Sequence, residues 1–207
     1  MKISCVLVTV LVALASGLLD PVDSSPILYP RTDATFYTDI SIHKVKAGSI
    51  AGQKLADLIY DHTLTHYACQ WNAVEQKETC ERNSKTRSLG KIPGGDLMIH
   101  FIGGNFPKEY PGIRELLTEQ VSSIFRDLSD LNACTDNCTI PGYVGVLEDS
   151  TGAFLRIFVR TPSTGKPFPC DDIKRLSIGN FDKNIRSRLS TLIRKNDIGS
   201  FVTCKTP

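Results

Sequence analysis

Tyr143-Val-Gly-Val-Leu-Glu-Asp-Ser-Thr-Gly-Ala-Phe-Leu-Arg-Ile-Phe-Val159 is the stretch that decides the fold class. Two apolar segments, Tyr143–Leu147 and Ala153–Val159, flank Glu148–Gly152, a polar turn that ends in glycine. That pattern predicts a β-hairpin. Downstream, Thr161–Pro169 is a turn-forming loop leading to Cys170. Upstream, the apolar run Leu97–Ile102 is closed by Gly103-Gly104-Asn105 and reads as a buried strand. Phe36–Ile42 sets Phe36, Thr38, Ile40 and Ile42 against Tyr37, Asp39 and Ser41, the alternation of another strand.

Helical periods lie between these strands. Pro111–Leu131 is the clearest, with Ile113, Leu116, Leu117, Val121, Ile124, Phe125, Leu128 and Leu131 recurring at helical spacing and Pro111 suited to an early helical position. Lys44–Tyr60 predicts a second helix, weakened by Gly48 and Gly52. Asp182 can cap a last helix that carries Ile185, Leu189, Leu192 and Ile193. Polar residues from His62 to Gly95 read as a loop closed by Cys69 and Cys80. Strands separated by helices, with a hairpin among them, predict an α+β fold: an antiparallel sheet packed on a helix.

The start of the chain bears on where the protein works. Met1-Lys-Ile-Ser4 precedes an apolar run, Cys5–Leu14, and a small-x-small site at Ala13-Leu14-Ala15. Residues 1–15 therefore read as a secretory signal too short to span a bilayer, the alternative cleavage points extending to about residue 25. Residues 16–34 carry three prolines and read as an extended lead or propeptide. Beyond Cys5 the cysteines are Cys69, Cys80, Cys134, Cys138, Cys170 and Cys204, an even set that in an exported chain predicts disulfides. Cys69–Cys80 is the first expected pair, Cys134–Cys138 would close a short loop, and Cys170–Cys204 would tie the last helix to the sheet. Asn137-Cys138-Thr139 makes Asn137 a glycan acceptor that competes with disulfide closure. A net charge of +2 does not by itself point to nucleic acid. No membrane insertion, cofactor or metal is expected, and the chain is expected to be a monomer.

Catalytic constellations are sparse. His100 lies within Leu97–Ile102, where a carboxylate partner would make it an acid or base; the plainer reading is a sheet-face histidine bonded to a neighbour. His62 and His66 have the spacing of a metal pair, but an oxidising compartment removes the thiolates that would complete a structural site. No nucleophile elbow, His-Glu-x-x-His or phosphate loop is present. Arg186, Arg188, Arg194 and Lys195 on the last helix are the local candidates for an anionic partner, RNA or acidic lipid; the plainer and favoured reading is a solvated face.

The hairpin together with Arg160-Thr-Pro-Ser-Thr-Gly165 and Lys166-Pro-Phe-Pro-Cys170 resembles the C-terminal strand, turn, strand, loop and cysteine of the small guanyl-specific fungal ribonucleases. It resembles still more the ribonuclease-like secreted effectors of powdery mildew fungi, whose Tyr-x-Cys pattern is matched by Tyr67-Ala-Cys69. The resemblance implies a ribonuclease-like domain over 35–170, with Pro111–Leu131 as an inserted helix and 171–207 as a helical extension tied by a disulfide. It places Arg160 at the acid histidine, Tyr143 at the arginine and His100 near the base glutamate. Arginine cannot release a proton near neutral pH, so the resemblance implies a scaffold without hydrolytic chemistry. The function it implies is a secreted effector that binds host RNA or a host protein, acting outside the cell or after entry into a host cell. Tyr143, Arg156, Arg160 and Lys166 are the candidate RNA contacts. The alternatives are an active nuclease or hydrolase using His100, or a disulfide-stapled inhibitor or structural protein.

Overall fold

Alternating residues on β-strands point to opposite faces of a sheet, and here one set is buried and mostly apolar along the central strands. In the computed structural model the described residues are 33–66, 69–72, 77–80, 86–130, 136–161 and 164–206. The fold is α+β. The strands are β1 (Ala34–Ser41), β2 (Lys44–Gly48), β3 (Cys69–Asn72), β4 (Lys77–Cys80), β5 (Arg87–Ile92), β6 (Gly95–Pro107), β7 (Cys138–Pro141), β8 (Tyr143–Glu148), β9 (Ala153–Arg160), β10 (Thr164–Gly165) and β11 (Ile198–Lys205). The helices are α1 (Gly52–Asp61), α2 (Ile113–Asp130), α3 (Cys170–Asn180) and α4 (Arg186–Ile193). A main sheet runs β11-β1-β8-β9-β6-β4-β3, with β5 also paired to β6, and a small sheet runs β10-β2-β7. The main sheet is antiparallel except where β11 lies parallel to β1.

One face of the main sheet is the core. Phe36, Ile40, Ile99, Val144, Val146, Leu155, Ile157 and Val159 are buried there, beneath the apolar stripe Ile113, Leu117, Val121, Ile124, Phe125 and Leu128 of α2. Phe181, between α3 and α4, stacks on Phe36 of β1 with ring centroids 4.7 Å apart. The C-terminal helices are thereby packed on the same core. Residues Thr32–Pro207 form one compact unit.

The β8–β9 hairpin forms where expected, with Tyr143 opposite Phe158 and Glu148 opposite Ala153. Its turn is held by Glu148, which is fully buried. The carboxylate accepts hydrogen bonds from the Ser150 N–H (2.9 Å) and hydroxyl (2.6 Å) and from the Thr151 N–H (2.8 Å) and hydroxyl (2.5 Å). Glu148→Ala deletes the acceptor of all four and is expected to cost about 2–3 kcal/mol. Urea unfolding would read it; an unchanged midpoint would show that the turn forms without the carboxylate.

Several expectations are corrected. Lys44–Tyr60 is not one helix: Lys44–Gly48 is β2, and only Gly52–Asp61 is helical. Gly48 sits at φ +61°, and a Cβ there would approach Ile92 to 3.1 Å, so the glycine breaks the period rather than weakening a helix. α2 begins at Ile113, leaving Pro111 in the preceding turn. β6 does not stop at Gly103 but bulges between Phe101 and Gly103 and continues to Pro107. The polar stretch after His62 is not a single loop, because it contains β3, β4 and β5. Asp182 caps nothing and lies within a π-helical turn, Phe181–Ile185, between α3 and α4. The tail is not wholly helical either, since β11 closes the edge of the sheet.

A disulfide joins Cys170 at the start of α3 to Cys204 on β11, with the Cα atoms 5.9 Å apart. Cys69 and Cys80 are register partners across β3 and β4. Cys138 is disulfide-bonded. Cys134 lies outside the described residues. Asn137 is exposed beside buried Cys138. No helix among the described residues is long and apolar enough to cross a membrane.

Candidate nucleic-acid interface on the outer sheet face

The residues between the core positions project from the opposite face. On β9 these are Phe154, Arg156, Phe158 and Arg160, with both arginines exposed and both rings half-buried. Each arginine lies over a neighbouring ring: Arg156 is 5.1 Å from the Phe154 centroid and Arg160 is 5.3 Å from that of Phe158. Such contacts hold a guanidinium in place while leaving its N–H groups directed to solvent or a ligand.

Register supplies the neighbours. Phe158 is flanked by His100 on β6 and Tyr143 on β8. The next row toward the hairpin turn is Gly103, Arg156, Gly145 and Asp39. The row after that is Asn105, Phe154, Leu147, Tyr37 and Phe201, crossing all five strands from β6 to β11. Tyr37 and Phe201 stack at 5.9 Å and are 40% and 51% exposed, so an aromatic pair faces water at the sheet edge.

The two glycines make room for rings. A Cβ on Gly145 would lie 2.3 Å from the Tyr143 hydroxyl oxygen, and one on Gly103 would lie 3.4 Å from the Phe154 ring. Both aromatic side chains therefore fold over bare backbone beside Arg156. Burial raises the Tyr143 phenol above its ordinary pKa; Asp39 adds to this, while Arg156 and Lys205 oppose it. The phenol is protonated at neutral pH and can donate a hydrogen bond. Lys205 pairs with Asp39 across β11 and β1.

His100 has its Nδ1 hydrogen-bonded to the Thr86 hydroxyl at 2.7 Å. Burial, and secondly the Arg160 charge, lowers its pKa. Because the unfolded chain then binds the proton more readily, this group's contribution to stability falls as pH drops below about 6.5 and is fully lost below the folded value. Arg160→Gln is expected to raise the His100 pKa, read by an NMR pH titration. A fall or no change would mean that Arg160 does not act on the ring.

Of the residues expected to contact RNA, Tyr143, Arg156 and Arg160 are brought together on one face. Lys166 is exposed but follows β10 of the small sheet, and the main-sheet register does not assemble it with them. Tyr37, Phe201 and Lys205 are additions that the sequence reading missed. The period-two pattern of Ile198, Ser200, Val202 and Cys204 against Phe201, Thr203 and Lys205 was the signal for them. Among the described residues no group of three or more His, Cys, Asp or Glu gathers at metal-binding distance. Comparison with protein-family models, with curated proteins and with solved structures gives no match.

Proposed function

We propose that this chain is a secreted, non-catalytic protein with a ribonuclease-like scaffold, an effector whose outer sheet face binds host RNA. The observation that carries the reading is the alternation Phe154, Arg156, Phe158, Arg160 on β9, bordered by Tyr143. Unpaired bases stack on aromatic rings while guanidinium groups neutralise the phosphates between them, which is the usual division of labour on single-stranded RNA surfaces. On the ribonuclease resemblance, Arg160 and Tyr143 would occupy the places of a proton donor and a cation, and neither side chain would supply that role.

Filter binding of a single-stranded RNA at low and high salt tests the proposal. Affinity is expected at low salt and should fall as salt rises. No binding at low salt, or binding indifferent to salt, would sink it. Incubation with total RNA beside a His100→Ala control addresses chemistry: cleavage by the parent and none by the variant would make the chain a nuclease. The exposed Tyr37–Phe201 pair favours a second reading, a protein partner. Capture of a host protein that survives nuclease treatment would support that reading over the RNA one.

A further inference from the structure

On the helical side, away from the outer sheet face, α1, α2 and the turn after α3 enclose a groove of about 370 Å³. That volume falls in the usual range for small-molecule sites, about 300–1,000 Å³. Its lining is polar with one exposed ring, that of Tyr60. A connected set of hydrogen bonds runs around it. Gln53 donates to Asp57 at 2.6 Å, and Arg126 donates to Gln53 at 3.5 Å and to Asp127 at 2.7 Å. From the other side Asn180 donates to Asp127 at 2.8 Å, and Asn184 donates to Asn180 at 2.6 Å. These side chains hold one another in place before any ligand arrives.

Two further observations narrow the ligand. Ser122 lines the groove and is 96% buried, and its hydroxyl has no hydrogen-bond partner. A buried hydroxyl without a partner is costly, and a ligand hydroxyl would satisfy it once a small shift of the groove wall lets the two meet. The charged groups of the lining are Asp57, Glu119, Arg126 and Lys183, which cancel, and the partners just outside it, Arg188 on Glu119 and Asp127 on Arg126, cancel as well. A lining without net charge and rich in amides, a carboxylate and a guanidinium suits a neutral ligand with many hydroxyls. The C–H face of a sugar ring would pack on Tyr60.

We infer that this groove is a binding site for a neutral saccharide of one or two rings. The inference does not rest on RNA binding.

Saturation-transfer NMR of the full chain with glucose, galactose, mannose, N-acetylglucosamine and cellobiose is the test, with inorganic phosphate as the anionic probe. At least one sugar is expected to receive saturation, and Tyr60→Ala and Ser122→Ala should each weaken it about tenfold. Ser122→Ala should not lower the melting temperature, because it removes a hydroxyl that nothing in the fold satisfies. Arg156→Glu with Arg160→Glu should leave sugar binding intact. Silence from all five sugars, sugar binding that ignores both groove substitutions, or displacement of the sugar by phosphate would each overturn the inference.

Discussion

Arg156→Glu combined with Arg160→Glu is expected to weaken single-stranded RNA binding about hundredfold at low salt. Both guanidinium groups are exposed on the outer face and take no part in the core. Their removal forfeits two cation–π contacts, each worth about 0.5–1 kcal/mol at an exposed site, so the fold should survive. Two lost phosphate contacts should also reduce the slope of log affinity against log salt by about 1.4 for a single strand. The matched control is Lys54→Glu with Lys174→Glu, the same change of net charge at exposed helical positions. If the control loses as much affinity as the β9 pair, binding is a response to total charge and the face has no special part in it. Retention of full affinity by the β9 variant would remove the arginines from the interface.

The second large effect concerns the edge of the sheet. Cys204→Ser opens a disulfide whose two cysteines are 34 residues apart. Loop-closure entropy assigns such a crosslink about 3–4 kcal/mol. For a unit of this size that corresponds to roughly a 10 °C fall in melting temperature. The loss should be local before it is global, because among the described residues β11 is an edge strand with β1 as its one neighbour in the main sheet. Hydrogen exchange is expected to accelerate over Ile198–Lys205 well before it does over β8 and β9. Unchanged melting and unchanged exchange would mean that β11 is held by its pairing with β1 alone.

How much of this was legible depends on how far apart the partners lie in sequence. The β8–β9 hairpin was readable because its strands are adjacent and its turn carries its own chemistry in Glu148, Ser150 and Thr151. α2 was readable because one unbroken apolar stripe spans it. β2 was not, since the helical spacing of Leu55, Leu58 and Ile59 invites extension back over Val45 and Ile50, although those two are five residues apart and Gly48 and Gly52 stand between. β11 was lost because its alternation is faint, with Ser200 on the inner side and Phe201 on the outer, and its parallel partner lies about 160 residues away. The site divides in the same way. Arg156 and Arg160 followed from one strand, whereas the placing of Tyr37 and Phe201 on the same face, in the row of Phe154, depends on register between strands that the sequence keeps far apart.

The pairing of β11 with β1 also sets an order of events. Tyr37 is made early and Phe201 late, so the aromatic pair at the sheet edge cannot exist until synthesis has passed residue 201. A chain interrupted before Ile198 would retain the hairpin and both β9 arginines, yet leave Tyr37 without a stacking partner and Asp39 without Lys205. The outer face thus registers whether residues 198–205 have been added: a copy lacking them would display a recognisably different surface from one that has them.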